Sequence, residues 1–373
     1  MVARPLQRGP SCEDAVVVVA RRVAAQQIAK SRFTTPSELV AWLGAVQAQD
    51  YAAVKWAIAL RLDDPKVTDA AIERAINAGE LVRMHAMRWT WQIMTPSDAR
   101  WILSLVGPRM LTRAAGRNRQ LGLDPATLVK SGKVICRALE GGKHLTRAEV
   151  ATALERAKIS PAGERLAHIL GCTELDSLIC NGARRGNQST YTLLDLRAPA
   201  PRGKPSRDEL VAKLASRYFA SRGPATVRDF VWWSGATMTE TRAAIAAIKP
   251  ALREDVIDGR SYWSTGAAVR APRSPAVVLL PSFDEYLVAY QDRRDVLEPA
   301  FIRRLNNGGG LLNPCIVVDG LVVGTWKRIL GPRTVDIAIS MFAPPTRANR
   351  AAIEAAAQRY AQFLQLPAHV TFT

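Results

Sequence analysis

Apolar residues recur every three to four positions through much of the chain, and the runs are broken by short stretches in which they alternate instead. The three-to-four spacing predicts helices over roughly 14–30, 50–61, 68–78, 125–140, 161–176, 206–221 and 239–248. A second signal recurs among them. Thr35, Thr146 and Thr226 are each followed three residues later by an acid, in TPSE, TRAE and TVRD. A Thr hydroxyl at a helix start accepts from an early N–H while the acid reaches back to the cap, so each motif predicts a helix N-terminus. Pro36 suits the first turn, where its missing N–H is not needed.

Each of these helical runs ends in strand-like sequence with a turn inside it. The segments are Leu81–Pro96, Ser177–Leu194 and Leu252–Ser264, the last turning at Asp258-Gly259, a pair favoured in two-residue hairpins. Helices followed by a β hairpin are the order of a winged helix, a helix-turn-helix variant with a β wing. The recurrence predicts three tandem units, over 14–105, 106–198 and 206–268. From about 270 the pattern changes. Strand runs in Pro275–Tyr290, Cys315–Trp326 around Asp319-Gly320, and Thr334–Phe342 precede an amphipathic helix over Asn349–Gln365. The expected class is therefore α+β, three winged helices and a C-terminal domain (270–373) with an antiparallel sheet. Ala198–Ser206, rich in Pro and Arg, is the expected linker.

A length of 373 residues fits several domains, and 48% hydrophobic with 23% charged residues fits a soluble protein. Charge sharpens the picture: 51 Lys and Arg against 33 Asp and Glu give +18. Such a balance suits a polyanion, because clustered cations gain affinity by releasing counterions from phosphates. Cys12, Cys136, Cys172, Cys180 and Cys315 form no C-x-x-C pair, and four scattered His offer no zinc spacing. No cofactor or metal is expected. The N-terminus lacks the apolar core of a signal peptide and no run is long enough to span a bilayer, so a cytoplasmic, nucleoid-associated protein is expected.

Several cations are placed to meet phosphate. Arg109, Arg113 and Arg117 fall at i, i+4 and i+8, one face of a helix, with no compensating acid on neighbouring turns. Arg184 and Arg185 stand at the tip of the second wing, and Lys327 and Arg328 follow the Val-rich hairpin. Asp284 and Tyr286, in DEY, either line a site or belong to an Asp–Arg structural network. His85, on a strand-like alternation, reads as a structural residue. The chain has no Walker A loop, no G-x-G-x-x-G opening a helix, no G-x-S-x-G and no H-E-x-x-H. NNGGG, from Asn306, reads as a flexible loop.

One short stretch stands apart. AVQAQDY, Ala45–Tyr51, sets Gln47 and Gln49 two residues apart where one helical run ends and another begins. In a helix their side chains would diverge by about 200°. In an extended junction they share a face, and Asp50 as the cap of the next helix would leave such a junction. Two amides there could orient a water or a sugar oxygen but could not take up a proton, so a site of this kind needs an activated substrate.

Leu43–Leu62, Glu80–Trp91, Pro224–Gly235, Phe283–Arg293 and Asp319–Arg328 together resemble the winged-helix DNA glycosylases of the AlkZ and YcaQ type. The resemblance implies tandem winged helices in a C-shape around duplex DNA, closed by a C-terminal β domain. It implies hydrolytic excision of alkylated bases, notably N7-alkylguanine, and for some members unhooking of interstrand crosslinks. The family signature, Gln-x-Gln in one branch and Gln-x-Asp in the other, falls on Gln47 and Gln49, with Gln49 orienting water and Gln47 bonding water or the sugar–phosphate. At Arg88–Ile93 the chain departs from its relatives: Trp89 stands in place of a Gly and Gln92 in place of a His. The expected partner is double-stranded DNA carrying alkylated bases, bound by a monomer for damage repair or self-resistance to an alkylating toxin. The competing reading is a non-catalytic winged-helix DNA-binding protein or transcriptional regulator.

Overall fold

The computed structural model describes residues 12–198, 200, 203, 205–266, 277–306, 308 and 312–373. Residues 199, 201, 202 and 204 of the expected linker and 307, 309 and 310 of the glycine loop lie outside them. The chain begins with α1 (Cys12–Ala25), α2 (Pro36–Leu43), a short strand β1 (Val46–Gln47), α3 (Tyr51–Ala59) and α4 (Asp69–Ala78), then the hairpin β2 (Val82–His85) and β3 (Trp91–Met94). The long α5 (Pro96–Gln120) spans both sides of the expected boundary at 105/106. It leads to α6 (Pro125–Leu139), β4 (Leu145–Thr146), α7 (Arg147–Arg156), α8 (Arg165–Leu175) and the hairpin β5 (Ile179–Asn181) and β6 (Thr190–Leu193). Next come α9 (Arg207–Arg222), α10 (Val227–Ser234), α11 (Met238–Ile248) and the hairpin β7 (Arg253–Ile257) and β8 (Arg260–Ser264).

Strand pairing shows how these pieces correspond. β1 pairs antiparallel with β3, and β4 pairs with β6 in the same way. Ala225 exchanges both backbone bonds with Trp263 of β8, at 3.0 and 2.8 Å. Among the described residues, one order thus recurs three times: helix, entry strand, two helices, hairpin, with the entry strand beside the hairpin's second strand. This order is consistent with winged helices. It also corrects the expected alignment of the first unit. Thr35 caps α2, the helix before the entry strand, whereas Thr146 and Thr226 cap α7 and α10, the helices after it. The residue in their place is Asp50, which accepts from the Ala53 N–H at 2.9 Å and starts α3. Thr146 and Thr226 form full reciprocal capping boxes; at Thr35 the acid bonds the cap hydroxyl instead of its N–H.

The C-terminal part contains β9 (Val277–Leu280), α12 (Glu285–Val288), α13 (Ile302–Leu305), β10 (Cys315–Val318), β11 (Leu321–Leu330), β12 (Val335–Met341), α14 (Arg347–Leu364) and β13 (Ala368–Phe372). Asp258-Gly259 and Asp319-Gly320 both turn with positive φ at each residue, 47° and 71°, 50° and 84°. That is the geometry that matches the twist of paired strands. The sheet order is β13-β12-β11-β10-β9, and β13 runs parallel to β12. The expected antiparallel sheet is therefore mixed, because α14 acts as a crossover that returns the chain to the same end before β13 begins.

This sheet shares a core with the first unit. The indole of Trp56 in α3 donates to the Leu279 carbonyl at 2.7 Å, and that of Trp326 to Leu280 at 2.8 Å. Both indoles pack edge-on against Tyr360 of α14. A separate cluster around Tyr218, Phe219, Phe230 and Trp233 joins α5, the first hairpin and the third unit. Gln47 lies where these two cores meet.

Candidate active site

β1 holds Gln47 opposite Gln92 of β3, and the Ala48 N–H bonds the Trp91 carbonyl at 2.7 Å. The chain leaves the strand at Ala48 and bends at Gln49 before Asp50, itself extended, caps α3. Strand pairing buries Gln47, leaving it 8% exposed, while Gln49 projects to the surface. The Gln49 carbonyl oxygen accepts from the Trp91 N–H at 3.4 Å, a long contact that leaves it free to take another donor.

The surroundings brace this junction from three sides. Glu285 accepts from the Gln47 N–H at 2.9 Å through one carboxylate oxygen. Its other oxygen takes Arg222 Nε and Nη2 at 3.0 and 2.6 Å and the Trp233 indole at 3.1 Å. Arg222 also donates to the Leu43 and Ala45 carbonyls, so one buried ion pair fixes the strand up to Gln47. On another side Arg83 donates twice to the Ala48 carbonyl, at 3.0 and 3.1 Å, and lies 4.0 Å over the Trp91 ring. Burial lowers the affinity of Arg83 for its proton, with the nearby Glu174 opposing. On the third side Arg88 reaches the Gln47 carbonyl oxygen at 2.6 Å.

Arg88 and Trp89 adopt left-handed backbone, φ 59° and 58°, which a non-glycine residue enters only at a cost. The Trp89 ring is accommodated by Gly171 of α8, where a Cβ would meet it at 2.9 Å. Gln92 keeps its amide nitrogen on Thr90 at 2.8 Å, while its buried carbonyl oxygen has no partner among the described residues. His85 pairs with buried Glu174 and packs 4.2 Å from the Trp91 ring, a structural role as expected.

The other expected site residues divide. Asp284 is buried and clamps Arg61 through two bonds, 2.7 and 2.8 Å, while capping α12; Tyr286 is buried with its hydroxyl on the Gly320 carbonyl at 2.7 Å. Neither lines a cleft. They form the Asp–Arg network that holds α12, and through it the intervening Glu285, in place. Arg109 and Arg117 are not a free stripe, because acids distant in sequence meet them: Glu240 at 3.2 Å and Glu164 at 2.8 Å. Arg184 folds back over the Tyr51 ring at 4.8 Å and bonds the Asn187 carbonyl, and Arg185 pairs with Glu149 at 2.8 Å. Arg328 bonds the Tyr360 hydroxyl and packs on its ring. Lys327 is exposed on β11.

Arg113 remains exposed, without an ion pair among the described residues. It lines a cavity of about 450 Å³ with Arg88, Arg228, Trp232 and Gln291. Arg228 and Arg242, also without ion pairs, lead into an adjoining cavity of about 720 Å³ between the third unit and residues 291–295. On the Gln49 side a third cavity of about 610 Å³ is lined by Trp91, Arg83, Arg147 and Tyr191. Cationic hollows thus flank the glutamine junction. No group of three or more His, Cys, Asp or Glu among the described residues could hold a metal ion. No helix there is long and apolar enough to cross a membrane.

The chain is strongly basic, at +18, and its helical units end in hairpins, which suits a polyanionic partner. Residues 40–363 match the family model described as DNA glycosylase AlkZ-like, and the chain belongs to that family of enzymes acting on DNA. The chain is 28% identical over 326 residues to the interstrand DNA cross-link repair glycosylase of Streptomyces sahachiroi, covering 84% of this chain and 87% of that protein. It is similar in structure to Streptomyces sahachiroi DNA glycosylase AlkZ, with a TM-score of 0.76, 25% identity, and coverage of 95% and 99% of the two chains.

Proposed function

We propose that the protein hydrolyses the N-glycosidic bond of cationic alkylated purines in duplex DNA, N7-alkylguanine above all, and that it unhooks interstrand crosslinks made at that atom. One observation carries the reading: the side chain exposed at the junction is an amide, Gln49, while each neighbouring carboxylate is buried or already bonded. Glu285 is enclosed by Arg222, Trp233 and the Gln47 N–H; Asp50 holds the α3 N-terminus and takes Ser282; Glu174, fully buried, holds His85 through one oxygen. A site whose nearby carboxylates are buried or bonded suits a leaving group that needs no help. Alkylation at N7 makes guanine cationic, so when C1′–N9 breaks, the bonding pair passes to the purine and cancels its charge. Water adds to C1′ and gives its proton to solvent. Such a step requires an oriented water and a stabilised sugar cation more than a strong base.

Gln49 orients the water, and Gln47 bonds the sugar–phosphate. Arg113, Arg228 and Arg242 take phosphates, with the exposed Trp232 beside them. A crosslinked base pair is tied to both strands and could not be swung into an enclosed pocket. The exposure of Gln49 fits attack on a lesion still in the duplex, and the name of the Streptomyces relative points to the same substrate.

The test uses two duplexes, one carrying 7-methylguanine and one crosslinked through guanine N7. The expected outcome is base release from the first and strand separation of the second, both abolished in Gln49→Ala. No product from either duplex would favour a non-catalytic DNA-binding protein. Product from the crosslink alone would confine the activity to crosslinks.

A further inference from the structure

We propose that Arg88 is a positioning residue that locks the Gln47 carboxamide with its NH2 group toward the substrate, making Gln47 a hydrogen-bond donor and leaving Gln49 as the acceptor for water. The inference rests on the function proposed above and adds a division of labour between the two amides. A glutamine amide has two faces that differ in chemistry but hardly in shape. What decides between them is the neighbour: a guanidinium has five N–H donors and no acceptor, so the atom 2.6 Å from Arg88 Nη2 must be the carbonyl oxygen. The Gln47 Nε2 then points away from Arg88, and it has no acceptor among the described residues.

Arg88 is itself fixed. Its Nη1 donates to the Trp233 carbonyl at 2.7 Å, so the side chain bridges the end of α10 and the end of β1. Its left-handed backbone turns the side chain back toward β1. Burial lowers the affinity of Arg88 for its proton, and the charge of Glu285 partly offsets this. Among the described residues no carboxylate contacts Arg88 directly; Gln47 and a backbone carbonyl are its acceptors, so the Gln47 amide is held by a charge-assisted bond. A donor at Gln47 cannot accept the proton of water. It meets oxygen lone pairs instead, of a phosphate or of the deoxyribose. The weakly held Gln49 oxygen is the acceptor that remains.

The test is a double-mutant cycle on single-turnover release of 7-methylguanine from a duplex, with affinity for undamaged duplex measured alongside. Arg88→Met is expected to slow release by about 10- to 100-fold, the loss of one charge-assisted bond. Gln47→Ala is expected to be at least as slow. The double variant should be no slower than Gln47→Ala, because Arg88 then has no amide left to orient. Losses that multiply would overturn the proposal and give Arg88 a role of its own, and so would a wild-type rate in Arg88→Met. A wild-type rate in Gln47→Ala would overturn the functional reading instead. If Arg88→Met does not fold, Arg88→Lys, which can make one bond but not both, should show an intermediate rate that disappears in the Gln47→Ala background. A second arm uses Gln47→Glu, which keeps an oxygen on Arg88 but has no donor: it should be as slow as Gln47→Ala, and a rate near wild type would contradict the assignment.

Discussion

The first and second units share one plan, an entry strand beside the second strand of a hairpin, yet they differ at one joint. In the second unit Thr146 is both the last paired residue of β4 and the cap of α7. In the first, Gln47 ends the pairing and Asp50 caps α3, so Ala48 and Gln49 are extra chain between strand and helix. The third unit resembles the second: Ala225 pairs and Thr226 caps. Three copies of one framework thus differ by a short extension, and the extension carries the amides. Extra chain at a joint normally exposes unpaired backbone. Here Arg83 takes the Ala48 carbonyl and Trp91 the Ala48 N–H, which keeps the extension taut and turns Gln49 outward.

Breaking the joint should have the largest effect. Replacing both amides, Gln47→Ala with Gln49→Ala, is expected to lower single-turnover excision by about 1000-fold or more. Circular dichroism should show the fold intact, since neither amide holds the core. Asp284→Ala is the opposite case. It leaves Arg61 buried without its partner, and a loss of about 3–5 kcal/mol in denaturant unfolding is expected.

The comparison sharpens with the two caps. Asp50→Ala and Thr146→Ala should each cost about 1 kcal/mol in stability. Only Asp50→Ala should also slow excision, because it alone frees the end of the extension. A smaller effect separates the cations. Arg113→Ala with Arg228→Ala should weaken binding to undamaged duplex and flatten its salt dependence by about 0.9 per lost contact. Arg117→Ala and Arg185→Ala, whose guanidinium groups already meet Glu164 and Glu149, should change it less.

The smallest effect is on acid stability. Burial works to raise the Glu240 carboxyl, but hydrogen bonds from the Thr237 N–H and Arg207, with Arg109 nearby, hold it down to about 2. A carboxyl depressed in the folded state stabilises above its ordinary value of about 4.3 and loses that contribution as pH falls toward 2. The melting temperature of Glu240→Gln should therefore fall less steeply than that of wild type over this interval.

Much of this was legible in the sequence. Capping threonines marked α2, α7 and α10, Asp-Gly marked the two tightest hairpins, and the hydrophobic period placed most helices within a few residues. The alignment of the first unit was not legible, because entry strands of two residues carry no periodic signal and Asp50 does the work of Thr146 without its motif. β13 was missed for a related reason: its pairing with β12 depends on where α14 delivers the chain. The amide pair could be read from its spacing and from the family resemblance. Its braces could not, since Glu285, Arg222, Trp233 and Arg88 come from distant parts of the chain. The arginine stripe on α5 misled in the same way, its counter-ions being absent from neighbouring turns and supplied by α11 and the residue preceding α8. The signal that could have found Glu285 was its place in DEY, between two residues singled out for the site.

The most direct measurement of the central claim is single-turnover unhooking of a duplex crosslinked through guanine N7, by wild type and by Gln49→Ala at matched DNA occupancy. The account predicts strand separation by wild type and a rate at least about 100-fold lower in the variant, with binding to the duplex unchanged. Equal rates in the two proteins would contradict it.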